Sequence, residues 1–199
     1  MILAGQVRVN GQVVSKAGHP VAPDAEITLV EPDHPYVGRG GVKLAHALDV
    51  FGIDPRGRVA LDVGHGQLAW TLRRDPRVFV IERVNARTLT ADQLPPDAQA
   101  FDIITVDVSF IAARHVLPAL APLLVPNGDA VVLVKPQFEA GRDEVGKGGL
   151  VHDSAVHSRV IDEVTAAADA LGLTRVAFAE SPIRGAEGNR EFFLHLRHG

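Results

Sequence analysis

Cysteine is absent from the chain, which excludes disulfides and thiolate metal sites. The nine histidines show no HExxH or HxxxH spacing on one helix, so no metal site is expected. No apolar run is long enough to cross a bilayer; AVVLV at 130–134 is typical of the longest. Met1 is followed by ILAGQVRVNG and not by a basic, apolar, small-residue leader, so the expectation is a cytoplasmic protein with no membrane partner. Strong charge of one sign is lacking too. A net charge of -4 at pH 7 gives no global electrostatic case for nucleic acid, although residues 73–87 carry Arg73, Arg74, Arg77, Arg83 and Arg87 against Asp75 and Glu82. That stretch reads either as a phosphate contact or as a solvated face. Internal repeats and low-complexity tracts are also missing.

What is present is 46% hydrophobic residues in 199, enough for one substantial core and a small appended module. Asn10-Gly11 between QVRV and QVV is a strong hairpin signal, so residues 1–31 read as a small β-rich module. Pro32 and Pro35 oppose both helix and sheet, which makes 32–36 a linker and 37–199 a second domain. After Gly40-Gly41, the residues Leu44, Ala47, Leu48 and Phe51 recur at helical spacing, with Gly52 as the stop. Lys43 would sit in the first turn of that helix and, taken alone, reads as a surface lysine.

From residue 58 onward, β-branched runs (VALDV, VFVIE, FDIITVDV, AVVLVKP) alternate with helical patterns, including RHVLPALAPLL. Such alternation predicts an α/β fold with a parallel sheet covered on both faces, a Rossmann-like arrangement. DSAVHSRVIDEVTAAADALG predicts a helix capped by Asp153, with Val156, Val160, Val164, Ala167 and Leu171 on one stripe. RVAFAE and EFFLHLR are expected to close the chain as an antiparallel edge pair.

Two groups of residues carry the chemistry. Asp62, Gly64 and Gly66 follow an apolar strand, as in a short nucleotide-binding loop where glycine admits close backbone approach, and Glu82 lies where an acid for ribose hydroxyls is expected. A simple turn explains the glycines equally well. Asp107 and Lys135 fall at the ends of two predicted strands, where open α/β sheets place ligands; burial and neighbouring charge can tune such a lysine, and a carboxylate can orient it. In GRDEVGKGGLV, Arg142 and Lys147 are candidate phosphate contacts on a glycine-rich loop, and Trp70 and Phe110 are candidates for base stacking.

RGGVKLAHAL, DVSFI, VLPAL, LVKPQFEAGR, VGKGGLV and SPIRGAEGNREFFLHLRHG closely resemble the hemolysin-A (TlyA-type) RNA 2′-O-methyltransferases, relatives of the FtsJ-like enzymes. The resemblance implies a Rossmann-like methyltransferase sheet, S-adenosylmethionine as methyl donor, and ribosomal RNA or a ribosomal subunit as partner. It also implies a catalytic set of Lys43, Asp107, Lys135 and Glu191. Residues 1–31 resemble the later half of an alpha-L RNA-binding module, in which two helices precede the hairpin, and Arg8, Lys16 and Arg39 join Arg142 and Lys147 as RNA-binding candidates. Members of the family have a glycine-rich loop, a helix and a second strand where this chain reads VALDVGHGQLAW, so a strand-helix unit near Asp62 is expected to be missing. Three readings stay open: a ribosomal RNA ribose methyltransferase, an RNA-binding protein that keeps the fold without turnover, and a small-molecule enzyme using a nucleotide at Gly64 and Gly66.

Overall fold

The computed structural model describes residues 7–14, 16, 18–29, 34–36, 38–64 and 68–199. Gly66 and the side chain of Trp70 lie outside the described residues. The chain divides into two compact units, Met1–Val42 and Lys43–Gly199.

In the first unit β1 (Val7–Val9), β2 (Gln12–Val14) and β3 (Ile27–Leu29) form an antiparallel sheet in the order β2-β1-β3. Asn10 and Gly11, at φ 48° and 80°, make the hairpin turn; both positions need the left-handed region, which Asn and Gly adopt most easily. Asn10 also brackets Glu26 through its backbone N–H and its side-chain oxygen, each at 2.9 Å, and so ties β3 to the turn. The strands are short, and Val13, Ile27 and Leu29 are exposed, so backbone pairing contributes more to this sheet than side-chain burial does.

Helix α1 (Arg39–Phe51) starts one residue before the Gly-Gly pair, which therefore lies inside its first turn and sets Lys43 one turn deeper than the sequence pattern suggests. Gly41 is required there, because a Cβ would come within 2.5 Å of the Tyr36 Cβ. Gly52 at φ 65° stops the helix, and the Ile53 N–H closes it on the Leu48 carbonyl.

The second unit holds β4 (Ala60–Gly64), α2 (Trp70–Arg73), β5 (Phe101–Asp107), α3 (Leu117–Leu120), β6 (Leu124–Val134), α4 (Pro136–Glu139), α5 (Ser154–Asp169), β7 (Leu173–Glu180) and β8 (Phe192–His198). The sheet order is β4-β5-β6-β8-β7: the first three run parallel, and β8 is antiparallel to both β6 and β7. The closing pair is thus antiparallel as expected, but only β7 is an edge. Strand alternation sorts the side chains onto two faces. Ile103, Val131, Leu133 and Phe193 pack under α1 with Ala47 and Ile53. Their neighbours Ile104, Val132, Leu194 and Leu196 join the larger core with Leu117, Leu120, Val160 and Val164. Pro118 and Pro122 break RHVLPALAPLL into α3 and two flanking single turns, where a continuous helix was expected. Helix α5 follows its predicted span; the Asp153 side chain accepts the Ala155 N–H at 2.8 Å, and Ala168, in place of Ala167, completes the buried stripe.

VFVIE is not a strand. Pro76 precedes it and Arg83 follows at φ 63°, and β4 pairs with β5 alone, so the run has no ladder to join among the described residues. Its Phe79, Val80 and Ile81 are exposed in consequence.

At the amino-terminal ends of the parallel strands Asp129 gathers His195 (2.7 Å), Arg197 (2.9 Å) and Arg58 (2.8 Å), while Arg58 also donates to the Asp102 carbonyl at 2.6 Å. Burial alone would raise this carboxyl; bonds from His195, Arg197 and Arg58 outweigh it and hold the pKa below the ordinary carboxylate value. The stability this contributes is present above the unfolded-state pKa and lost as pH falls through the lowered folded value. Asp129→Ala should therefore reduce unfolding free energy by about 2–3 kcal/mol near neutrality, and the deficit should shrink in strong acid; urea titrations across pH measure both.

Candidate active site

The carboxyl-terminal ends of β4, β5 and β6 meet the start of β8 at one end of the sheet. The register pairs Gly64 with Asp107 and Val134 with Phe192, so Lys135, just past β6, lies beside Glu191, just before β8. Asp62, Thr105, Asp107, Lys135 and Glu191 share the parity of Ile103, Val131 and Phe193, which places them on the face that α1 covers.

Two ion pairs form there. Lys135 Nζ lies 2.6 Å from Asp107 Oδ1 and donates to Ser109 Oγ at 2.9 Å. Lys43, projecting from α1, donates to Glu191, and both are almost fully buried. The pairs differ in access: the Asp107 side chain is 38% exposed and the Glu191 side chain 3%. A charged pair that faces solvent can meet a substrate, whereas the deeper one holds α1 to the sheet. All four residues of the expected catalytic set therefore lie at one end of the sheet.

Asp62 accepts from Thr105 Oγ1. Burial raises its pKa above the usual carboxylate value, the Thr105 bond opposes that rise, and the nearby Asp107 charge adds to it. Among the described residues Gly64 meets only the Asp107 carbonyl, at 3.4 Å from where a Cβ would stand. Glu82 is not brought to this cluster by any strand; it is engaged by Arg73, and that bond lowers its pKa. Arg142 and Lys147 are exposed on the loop that follows α4. Arg8, Lys16 and Arg39 are exposed on the first unit.

The loop after Asp107 presents Phe110 at φ 64° and 83% exposed, with its ring 5.3 Å from that of Phe138. A left-handed backbone at a phenylalanine costs about 1–3 kcal/mol, so the neighbouring structure must hold it there. Three supporting residues escaped sequence reasoning. Ser109 is Lys135's second acceptor, two places after Asp107 in the same DVSF motif. Gly185 leaves the space that Glu191 fills, since a Cβ would come within 2.5 Å of its Oε1. Asn189, 2% exposed, donates to the Gly149 carbonyl at 2.8 Å and accepts from the Val151 N–H at 2.9 Å, clamping the Arg142–Lys147 loop to the β7–β8 connection. Only the density of glycine and polar residues in RGAEGN hints at the last two.

Residues 57–198 match the family model of the FtsJ-like methyltransferases. TlyA of Mycobacterium tuberculosis, a 16S/23S rRNA (cytidine-2′-O)-methyltransferase, is 40% identical over 222 residues, which covers 99% of this chain and 82% of that protein. Hemolysin A of Brachyspira hyodysenteriae is 33% identical, covering 98% and 90%. A solved structure from Streptococcus thermophilus, described as a hemolysin, has a TM-score of 0.81 at 35% identity and covers 99% of this chain and 80% of its own.

Lys43→Met and Glu191→Leu should each destabilise the fold by about 3–5 kcal/mol by stranding a buried charge, and the double substitution should recover most of that loss, as read by a double-mutant cycle in urea. Asp62, whose folded pKa is raised, contributes stability below its unfolded pKa that is lost as pH rises through the folded value. Asp62→Asn should therefore be more stable than the parent at neutral pH and equal to it in acid, as read from thermal midpoints across pH.

Proposed function

The chain belongs to the FtsJ-like methyltransferases of the hemolysin-A (TlyA) type, and from that premise we propose that it methylates a ribose 2′-hydroxyl of ribosomal RNA in the cytoplasm. The observation that carries this is the Asp107–Lys135 pair on an open strand end, backed by Lys43–Glu191. A ribose hydroxyl is a poor nucleophile, so the site must stabilise negative charge on its oxygen as the new bond forms. Lys135 Nζ has three N–H donors; Asp107 and Ser109 take two, and the third serves the ribose oxygen. The hydroxyl proton passes to Asp107, the more exposed carboxylate of the four. Lys43 and Glu191 fix the floor on which Lys135 rests.

S-adenosylmethionine, when bound, supplies the electrophilic methyl. Asp62 suits its ammonium end, because a cation brought beside that carboxyl favours the ionised form that burial opposes. Among the described residues packing crowds Gly64 no more than ordinary contact, so the position has room for the close approach of a ligand. Glu82 is engaged by Arg73, so a ribose there would have to displace that bond. We read the stretch between β4 and β5 as lacking the strand-helix unit of the relatives. Support comes from β4 standing at the sheet edge, the unpaired apolar run at 78–81, and an alignment of 222 residues against a chain of 199. Arg142 and Lys147 would contact RNA phosphates, Phe110 would stack on a base, and the first unit, with Arg8, Lys16 and Arg39, is the RNA-binding remnant of an alpha-L module.

Lys135→Ala should lower methyl transfer to ribosomal RNA by about a thousandfold, within the range of an electrostatic catalytic group, while calorimetric binding of S-adenosylmethionine stays nearly unchanged. Equal loss of both would assign Lys135 a structural role. Absence of cofactor binding by the parent protein would favour instead an RNA-binding protein without turnover, the reading that Glu82's engagement by Arg73 supports.

A further inference from the structure

A recess opens at the same end of the sheet as the two ion pairs but on the opposite face. Its volume is about 260 Å³, and it is walled by residues 150–152, His157 of α5, and Arg184, Glu187, Gly188 and Arg190 of the β7–β8 connection. Its face follows from Arg190, whose guanidinium lies 5.5 Å over the ring of Phe192, a member of the larger core. Glu180 holds Arg190 side-on through Nε (2.8 Å) and Nη2 (2.5 Å), which leaves Nη1 outside that fork. Arg184 is braced across the loop by a bond to the Gly188 carbonyl at 3.2 Å. His157 is 4% exposed and forms part of the back wall; its Nε2 meets the Val151 carbonyl at 2.9 Å, so that nitrogen carries the proton, and its Nδ1 is shielded from solvent and has no hydrogen-bond partner among the described residues.

We propose that this recess binds a phosphate of the RNA strand adjacent to the nucleotide whose 2′-hydroxyl reaches Lys135. The proposal rests on the methyltransferase reading above. Arg190 and Glu191 are consecutive and point to opposite faces of the sheet, so an RNA strand crossing the sheet end meets the ion pairs on one side and this recess on the other. Two guanidinium groups serve the phosphate. Glu187 is the carboxylate of the lining; Glu180 is occupied by Arg190.

Amide resonances of the full chain, followed by NMR during titration with cytidine 3′,5′-bisphosphate, test this without RNA methylation as a readout. Saturable shifts should centre on Val151, His157 and Gly188. Arg184→Ala should weaken binding about fivefold to tenfold, the worth of one charge-assisted hydrogen bond, and Glu187→Gln should strengthen it. The opposite signs guard against simple loss of folding. In ribosomal RNA binding, Arg184→Ala should reduce the slope of log affinity against log salt by about one. Shifts that are absent, that centre elsewhere, or that ignore both substitutions overturn the recess even if the protein methylates RNA. Binding at the recess by a protein that fails to methylate RNA upholds the recess and overturns the methyltransferase reading.

Discussion

β6 is the strand on which the molecule turns, because it pairs in parallel with β5 and antiparallel with β8. Parallel pairing brings the end of β5 level with its own end, and antiparallel pairing brings the beginning of β8 to the same place. A lysine placed one residue past β6 thus meets an aspartate from one neighbour and lies beside a glutamate from the other. A slip of one residue in either register would move the side chains of that neighbour to the other face and scatter the cluster.

The same strand separates two of the charged centres. Asp129, midway along it, gathers Arg58 and Arg197, which bear on folding, and Lys135, just past its end, is the group positioned for chemistry. Between them Val131 and Leu133 face α1 while Val132 and Val134 face the larger core, all essentially inaccessible to solvent. Such packing transmits position rather than charge, so the two centres act independently in electrostatics and jointly in geometry.

Features carried by local pattern were legible in the sequence. Apolar runs located β4, β5, β6 and β8, the Asn-Gly pair located the hairpin, and Asp153 located the start of α5. Asp107 and Lys135 followed from their places at strand ends, whereas Lys43 and Glu191 needed the family resemblance, because nothing local distinguishes a buried lysine on a helix from an exposed one. VFVIE misled, since its residues favour strand while Pro76, the left-handed Arg83 and the lack of a neighbouring ladder among the described residues leave it unpaired. Ser109, Gly185 and Asn189 were illegible for a similar reason: each acts through a partner brought close by folding, so no window of adjacent residues contains the evidence.

Gly185 shows what this means for how the chain can change. The position has no side chain and makes no chemistry, yet the room it leaves is the room Glu191 fills, and Glu191 is what Lys43 of α1 reaches. A single methyl group there would act as a wedge, carried through one carboxylate to a helix that starts in a different part of the sequence. The information for the site is thus stored partly as empty volume, and among neutral drifts of this chain that volume is a quantity that cannot be exchanged for another residue's chemistry.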